Sequence, residues 1–226
     1  MVDTHPYSKL TPDMVLAAVE TIGFEPDARI FALNSYENRV YQVGLHSGAS
    51  IVVKFYRPER WTEEQILEEH RFAQELMDLE IPVIAPLQIN GSSTLTIFED
   101  FQLAAFPLFL GRAPELDNLD NLLVMGRFVA RIHAVGAMTN FYERVELSID
   151  RFAVQSREFL LSNNFIPEDL TTAYDSLSAD LISRIEKRFS EHGQLTMLRI
   201  HGDCHPGNVL WKDDTPNFID FDDTIM

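Results

Sequence analysis

Residues 201–208 place four side chains that could perform chemistry close together in the sequence. His201, Asp203 and His205 alternate along the segment, and Asn208 follows them. On an extended strand the first three would share one face, and imidazole and carboxylate groups are suitable zinc ligands. An aspartate followed five residues later by an asparagine is also the spacing of a catalytic loop that transfers phosphoryl groups. The segment alone leaves both chemistries open.

The zinc hypothesis has little support in the rest of the chain. Pro206 and Gly207 would break a strand directly after His205, and a hydrolytic zinc site needs further ligands. The other histidines are scattered singly, without the paired HxH or HxxxH spacing of zinc-binding segments. A purely structural interpretation also stands, in which the two histidines bond backbone carbonyls, Asp203 caps a turn and Asn208 adopts a left-handed turn.

Phosphoryl transfer is supported by residues outside the segment. A kinase-type phosphotransferase needs an acidic residue beside the acceptor hydroxyl, an amide oxygen and a second carboxylate on the metal ion, and a lysine on the nucleotide phosphates. Asp203, Asn208 and Asp220 supply the first three groups, and Lys54 supplies the fourth. Lys54 lies in a short apolar segment, "VVKFY", where a lysine side chain can also simply face solvent.

A carboxylate in the following amphipathic helix offers Lys54 a partner. Helical spacing places Glu69 within the apolar stripe of the segment 61–79. Its neighbours at i−3, i+3, i+4 and i+7 are Ile66, Phe72, Ala73 and Leu76. Because a buried carboxylate needs a counter-charge, we expect Lys54 and Glu69 to form an ion pair that presents the lysine to phosphates. Glu68 is expected on a solvated face, which it shares with Gln65, Arg71 and Glu75.

The elements that must position these residues divide into two parts near residue 106. In the first part, residues 11–22 and 61–79 predict helices, each opened by a threonine at the N-cap. Short segments rich in β-branched and aromatic residues predict strands at residues 29–33, 39–46, 50–56, 93–100 and 101–106. The Asn90-Gly91 dipeptide predicts a turn before the last two strands. The first part is therefore expected to be an antiparallel sheet with helices.

The second part predicts a helical unit that ends in a hairpin. Pro107, Gly111 and Pro114 suit a hinge or linker between the two parts. Three helices are predicted at residues 118–137, 148–161 and 167–192. The remaining predicted elements are strands at residues 195–200, 208–211 and 217–221. We therefore expect an α+β chain with two units, an antiparallel five-stranded unit at residues 1–106 and a helical unit at residues 107–226.

Composition and charge exclude several classes of protein. The chain has 226 residues, 46% of them hydrophobic, which is enough for packed cores. Its 35 acidic and 18 basic residues give a net charge of −17, which repels nucleic-acid backbones and anionic membrane surfaces. The single cysteine, Cys204, cannot form an internal disulfide, and the first residues have no signal-peptide pattern. We expect a cytoplasmic monomer that binds neither nucleic acid nor membranes.

The motifs together resemble a known family. "HGDCHPGN" followed by "IDFDD", with "VVKFY" and "EEHRFAQEL" upstream, is similar to the motifs of the aminoglycoside phosphotransferase and choline kinase family, which has a protein-kinase-like fold. Within that family, "LNSYENRVYQV" and "LRIHGDCHPGNVLW" resemble bacterial Ser/Thr protein kinases of the stress response. The resemblance implies a nucleotide-binding lobe at residues 1–106 and a lobe with the catalytic loop and a metal-binding hairpin at residues 107–226.

The resemblance also implies a role for each candidate residue. Asp203 would be the catalytic base, and Asn208 and the catalytic Asp220 would bind Mg²⁺. The residues that contact the co-substrate ATP would be Ser35, Lys54 and Glu69. We expect the adenine ring beside the backbone near Phe106. The acceptor would be a Ser/Thr hydroxyl of a protein. The alternatives are a kinase of amino alcohols, sugars or aminoglycosides, and a nucleotide-binding module with little turnover.

The sequence departs from the family pattern at three places. The turn at residues 34–38 has none of the glycines that many relatives carry over the phosphates. Phe221 and Asp222 follow Asp220 where a protein kinase has Phe-Gly, so we expect backbone flips to be harder there. Only six residues follow Asp220, so we expect an incomplete second lobe with unpartnered apolar helix faces, lowered stability and weak acceptor turnover. The candidates for such exposed positions are Leu122, Met125 and Phe128.

Overall fold

The computed structural model of the chain describes residues 6–89, 91–193 and 195–226, so Asn90 of the predicted turn lies outside the described residues. The first helix, α1 (Pro12–Thr21), begins where the sequence predicts it. The Thr11 hydroxyl accepts a hydrogen bond from the Met14 amide at 3.3 Å. This bond satisfies one of the backbone donors that the first turn of a helix leaves unpaired.

The chain continues into a five-stranded antiparallel sheet, which confirms the predicted fold class of the first part. Its strands are β1 (Pro26–Leu33), β2 (Arg39–Leu45), β3 (Ser50–Phe55), β4 (Thr96–Phe98) and β5 (Phe101–Pro107). Their order across the sheet is β1-β2-β3-β5-β4. On the central strand, Lys54 pairs with Val40 of β2 and Ala104 of β5. Neighbouring strands therefore fix the backbone of Lys54 from both sides.

The two faces of the sheet have different partners. Alternate residues of a strand point to opposite faces. Val53 and Phe55 are fully buried in a core with Val15 and Val19 of α1. Lys54, which lies between them in the sequence, therefore points to the other face of the sheet.

The second helix, α2 (Glu63–Asp78), lies between β3 and β4 in the sequence. The predicted threonine cap, Thr62, is part of a capping box, since Thr62 and Gln65 exchange side-chain-to-backbone hydrogen bonds. Phe72 of α2 packs edge-on against Phe141, with ring centroids 5.5 Å apart. Both rings lie in a core built largely from the second half of the chain, so α2 packs against that half.

The second half is helical, as predicted, and ends in a hairpin. Its helices are α3 (Leu119–Gly136), α4 (Gln155–Ser162), which follows a π-helical turn (Asp150–Val154), and α5 (Glu168–His192). The hairpin consists of β6 (Val209–Lys212) and β7 (Thr215–Phe218), flanked by 3₁₀ turns at Pro206–Asn208 and Phe221–Asp223. Residues 108–111 between the two halves have no regular structure. The boundary between lobes at residue 106 stays a prediction.

The predicted strand at residues 195–200 is wrong, because the structure describes all six residues and five of them have no strand or bridge pairing. Ile200 alone among them forms a β-bridge, to Ile225. The segment runs past the end of α3, where the Arg199 amide donates to the Gly136 carbonyl at 3.2 Å. Because its backbone bonds to a helix end, it has no strand partner to pair with.

Several helices of the second half expose apolar side chains. Leu122 is exposed, as predicted, whereas the prediction for Met125 and Phe128 is wrong. Both residues pack against the core around Ile132, because they share its face of α3. Further exposed apolar residues follow each other at intervals of four along α5, namely Leu177, Leu181, Ile185 and Phe189. In the described ranges, no helix combines the length and apolar character that crossing a membrane requires.

Candidate active site

A cavity of about 380 Å³ lies between the sheet, α2 and the β6–β7 hairpin. Five of the predicted site residues line it, namely Ser35, Lys54, Glu69, Asn208 and Asp220. Phe106 and residues 107–110 form another part of its wall. The cavity therefore extends from the predicted hinge to the predicted catalytic loop. Asp203 does not line the cavity. It lies five residues before Asn208 on that loop.

Lys54 is buried at the centre of a cluster of carboxylates. Its Nζ lies 2.8 Å from Asp220 Oδ1, 3.1 Å from Asp222 Oδ1 and 3.9 Å from Glu69 Oε1. Burial alone would lower the pKa of Lys54, but the Asp220 and Asp222 carboxylates outweigh it, so the pKa lies well above its ordinary value. The Tyr56 ring, with its centroid 4.9 Å from Nζ, adds a cation–π contact. Lys54 is therefore a fixed positive charge.

Glu69 is buried, as its apolar neighbours predict. Burial raises the pKa of its carboxyl group to about 7, although the Lys54 ammonium acts in the opposite direction. At 3.9 Å the contact with Lys54 is longer than a hydrogen bond, and Oε2 has no hydrogen-bond partner among the described residues. The two aspartates, rather than Glu69, are therefore the closest partners of Lys54 in this structure.

The predicted catalytic loop, residues 201–208, is held by hydrogen bonds among its own residues. Asn208 Nδ2 donates to the Asp203 carbonyl at 3.0 Å and to Asp203 Oδ2 at 3.3 Å. These bonds use the amide nitrogen of Asn208, so its carbonyl oxygen is the atom that remains to coordinate a cation. Gly202 has a positive φ of 84°, and a Cβ there would lie 1.8 Å from the Asp223 carbonyl oxygen. A glycine is therefore required directly before Asp203.

His201 supports this loop and is fully engaged. Its Nε2 bonds the Ile219 carbonyl at 2.9 Å, and its Nδ1 accepts from the Asp203 amide at 3.3 Å. This pairing requires a neutral ring protonated at Nε2. Burial lowers the pKa of His201, which favours the same neutral form. Since neither nitrogen has a lone pair left, His201 does not fit the role of a zinc ligand.

His205, the second histidine of the zinc hypothesis, accepts from the Gly207 amide through Nδ1 at 3.0 Å. In the part of the chain that the structure describes, no three His, Cys, Asp or Glu side chains are grouped so that they could hold a metal ion by themselves. A hydrolytic zinc centre needs three protein ligands. The loop geometry therefore favours the phosphoryl-transfer interpretation of residues 201–208.

Asp220 and Asp222 occupy different environments although they are two residues apart. Asp220 has left-handed backbone angles, φ 59° and ψ 65°, and its side chain is 47% exposed. Asp222 is buried and accepts from Asn38 Nδ2 at 3.1 Å. Burial pushes the pKa of Asp222 upward, but Lys54 and Arg60 outweigh this effect and the pKa lies below its ordinary value. Asp220 therefore faces the cavity, and Asp222 is a buried anion behind it.

The turn at residues 34–38 contains no glycine and is closed by an asparagine side chain. Asn38 is buried, its Oδ1 accepts from the Arg57 amide at 3.0 Å, and its Nδ2 donates to Asp222. The Ser35 hydroxyl donates to the Asn38 carbonyl at 3.1 Å. Side-chain bonds thus fix the turn over the cavity and connect it to the segment that carries Asp220.

Two of these residues and a third on α2 were missed by sequence reasoning. Asn38 and Asp222 lie 184 residues apart, and no local pattern signals that they meet. The predicted solvated position of Glu68 is wrong, because Glu68 is buried and accepts backbone hydrogen bonds from residues 142–144. The periodicity of α2 contains no information about this later loop.

The charges of the site determine what it can bind. One ammonium, Lys54, faces the carboxyl groups of Glu69, Asp220 and Asp222. Three carboxyl groups therefore surround one ammonium group, and Arg60 Nη1 lies 3.7 Å from Asp222 Oδ2. Carboxylate and amide oxygens are the donors that a hard divalent cation prefers. The residues present therefore fit a magnesium-type cation at Asn208 and Asp220, next to a lysine that can bind anionic groups.

Comparisons with known proteins agree with this chemistry. The profile of the phosphotransferase enzyme family matches residues 29–226. Stress response kinase A of Escherichia coli (strain K12) is 41% identical over 217 residues, which cover 96% of this chain and 65% of that protein. Serine/threonine protein kinase RdoA of Salmonella typhimurium is 38% identical with the same coverage. The chain thus spans 65% of the length of these curated relatives.

Solved structures share the fold at lower identity. The amicoumacin kinase hAmiN, in complex with AMP-PNP, Ca²⁺ and Ami, superposes with a TM-score of 0.76 and 21% identity, covering 94% of this chain and 64% of that one. A microcompartment-associated aminopropanol kinase gives 0.68 and 16%, with coverages of 94% and 70%. Because the profile match and the 41% identity extend over nearly the whole chain, this chain belongs to the phosphotransferase enzyme family.

Proposed function

We propose that the protein is an ATP- and Mg²⁺-dependent phosphotransferase that acts on Ser/Thr hydroxyls of a protein. The observation that carries this proposal is the convergence of Lys54, Asn208 and Asp220 on one cavity, with Asp203 bonded to Asn208. The two lobes, residues 1–106 and 107–226, would meet around the nucleotide. Catalysis would then consist of positioning and charge neutralisation, as in other kinase-type enzymes.

The nucleotide would lie along the length of the cavity. Its adenine ring would bind the extended backbone beside Phe106, in the wall formed by residues 106–110. Its phosphates would lie at the other end, beside Lys54 and beneath the turn that contains Ser35. Lys54 would orient the phosphates, and Glu69 would hold Lys54 from the side of α2.

Asn208 and Asp220 would hold Mg²⁺. When bound, the ion would supply positive charge that neutralises part of the charge of the phosphates. Two protein oxygen ligands suffice, because Mg²⁺ usually completes its shell with waters and substrate phosphates. The exposed side of the Asp220 carboxylate and the carbonyl oxygen of Asn208 are the ligand atoms that this role requires.

Asp203 would align the acceptor hydroxyl and accept its proton. Its side chain is 50% exposed, so an acceptor can reach it from solvent. The hydrogen bonds from Asn208 to its carboxylate and from its amide to His201 fix its orientation. A general base needs this kind of fixed geometry before its pKa matters.

The protein acceptor is inferred from the names of the curated relatives, which include a serine/threonine protein kinase. The names of the solved structures instead describe kinases of small molecules, amicoumacin and aminopropanol. A small-molecule acceptor would leave every role above unchanged. An acceptor screen with general protein kinase substrates, amino alcohols, sugars and aminoglycosides separates these possibilities.

The test is transfer of the γ-phosphate of ATP with and without Mg²⁺. Asp203→Asn should abolish transfer while Mg·ATP binding, followed by calorimetry, persists. Asp213→Asn, an exposed position in the β6–β7 turn, is the matched control and should behave as the wild type. Equal transfer by the wild type and Asp203→Asn would show that the assignment is wrong. Binding without any transfer would indicate a nucleotide-binding module.

A further inference from the structure

Glu68 of α2 is a buried carboxylate that the proposed mechanism does not use. Its Oε1 accepts from the Tyr142 amide at 2.7 Å, and its Oε2 accepts from the Glu143 and Arg144 amides at 2.9 and 2.8 Å. The residue is only 6% exposed. These three amides lie outside any helix or strand. One side chain therefore satisfies three consecutive backbone donors of the loop that follows α3.

Two other side chains of α2 bind the same half of the chain. Gln65, one turn before Glu68, donates from Nε2 to the Glu143 carbonyl at 2.8 Å. Glu75, two turns after it, accepts from the Arg199 guanidinium at 2.8 Å. Arg199 lies just before the catalytic loop. The helix is thus attached to the second half of the chain near its start, near its middle and near its end.

The loop that Glu68 holds is also bonded to residues 220–224, the metal-binding segment, which carries the proposed metal ligand Asp220. The Arg144 guanidinium donates to the Thr224 carbonyl at 2.9 Å and to the Asp222 carbonyl. The same guanidinium lies 4.1 Å from the ring centroid of Trp61, just before the start of α2. Residues 142–144 therefore connect α2 with the segment that carries Asp220.

The direction of Glu69 follows from that of Glu68. Consecutive residues of an α-helix project about 100° apart, so fixing one side chain fixes the rotation that presents the next. Glu68 bonds the loop, and Glu69, about 100° further around the helix, then points at Lys54. Because Glu69 and Lys54 are already 3.9 Å apart, a small rotation or shift of α2 separates them.

We propose that Glu68 is a positioning residue that sets the rotation of α2, so that the Glu69 carboxylate faces Lys54 and the metal-binding segment. The inference deepens the proposed function and rests on it, because it gives Lys54 and Glu69 their role at the phosphates. A glutamine at position 68 lacks the charge, and its NH₂ group cannot accept hydrogen bonds from amides. The contacts of Gln65 and Glu75 remain in that variant, so the helix stays attached while its rotation loosens.

The experiment compares Glu68→Gln with Glu63→Gln, an exposed residue in the first turn of the same helix. Each is made in the wild-type and in the Glu69→Gln background. Phosphoryl transfer at saturating Mg·ATP should fall roughly 10- to 100-fold in Glu68→Gln, with a smaller change of KM, because misplacing a positioned group by about 1 Å costs that much. In the Glu69→Gln background the further loss should stay below about threefold.

Amide hydrogen exchange of the same four proteins supplies a readout that needs no turnover. Residues 66–73 of α2 should exchange faster in Glu68→Gln than in Glu63→Gln, while α1 remains unchanged. Unchanged exchange over residues 66–73 overturns the proposal, and so do equal fold losses in both backgrounds, which indicate a merely structural role. If the wild type transfers no phosphate to any acceptor, the proposed function fails, and the exchange data still decide whether Glu68 sets the position of α2.

Discussion

Replacing Glu69 by glutamine tests whether the buried carboxyl group of Glu69 keeps its proton in the folded chain. Burial raises the pKa of this carboxyl group from 4.5 to about 7, although the Lys54 ammonium opposes the shift. A glutamine has nearly the same shape and no proton to release. The difference in stability between Glu69→Gln and the wild type therefore isolates the titration of this one group.

The sign of the effect follows from proton binding. Between pH 4.5 and about pH 7 the folded chain keeps the Glu69 proton, while the unfolded chain releases it. The folded state then binds more protons, so the free energy of unfolding of the wild type falls as the pH rises through this range. At about 1.4 kcal/mol per pKa unit, the fall between roughly pH 5 and pH 8 is about 2.5 kcal/mol. The glutamine variant lacks this fall.

Urea denaturation at about pH 5 and about pH 8, followed by tryptophan fluorescence, measures the effect. The stability of Glu69→Gln relative to the wild type should increase by about 2.5 kcal/mol from the lower to the higher pH. Glu20→Gln, an exposed position on α1, should show a much smaller change. If the gap between Glu69→Gln and the wild type is the same at both pH values, Glu69 does not titrate in this range and the reasoning is refuted.

Four further substitutions test other contacts of the site. Lys54→Met removes the counter-charge of buried carboxylates, so the free energy of unfolding in urea should fall by about 3 kcal/mol or more, and calorimetry should detect no Mg·ATP binding. Asn208→Ala removes both hydrogen bonds to Asp203, so kcat should fall about 100-fold even at saturating Mg²⁺. If added Mg²⁺ restores kcat, Asn208 acts only as a metal ligand and does not position Asp203. Asn38→Ala removes one hydrogen bond from the buried Asp222 carboxylate and the side-chain acceptor of the Arg57 amide, which should cost about 1–3 kcal/mol in urea denaturation and raise KM for ATP more than it lowers kcat. His70 of α2 is buried beside Tyr56, with the Tyr56 hydroxyl 2.8 Å from its Nε2, and burial lowers its pKa from 6.5 to about 3. The wild type therefore loses stability as the pH falls through this range. His70→Gln should lose less in an acid titration followed by circular dichroism, and an identical titration curve would contradict this.

Features fixed by neighbouring residues could be predicted from the sequence. The β-branched and aromatic residues of β3 and the threonine caps of α1 and α2 are local patterns, and the structure has the strand and both caps. The burial of Glu69 followed in the same way, because its neighbours on the helix are apolar. The loop spacing of Asp203 and Asn208 also has a local basis, since the two side chains bond each other. Such features need no knowledge of distant segments.

Contacts between distant segments could not be predicted in this way. Glu68 has polar neighbours on its own helix, so periodicity places it in solvent, yet a loop more than 70 residues later buries it. The predicted exposure of Met125 and Phe128 is wrong for a related reason, because the core that they join includes residues from β6, β7 and α2. The predicted strand at 195–200 fails because its backbone partner is the end of α3. In each case the burial or the backbone pairing of a residue depends on a second, distant segment. The sequence around that residue contains no information about the second segment.

The buried Asp222 supplies Lys54 with a second counter-charge beside Asp220. Lys54 contacts Asp220 and Asp222 more closely than Glu69 in this structure. Asp222 is held by Asn38, whereas Asp220 is half-exposed and, in the proposed function, faces the metal ion. Lys54 can therefore exchange Asp220 for a phosphate oxygen and still retain Asp222 as a buried counter-charge. The glycine that the D-F-G motif of protein kinases has at this position carries no such charge, and there the lysine pairs with a glutamate of the helix. In this chain the second aspartate shares that role, which is consistent with the long distance between Lys54 and Glu69.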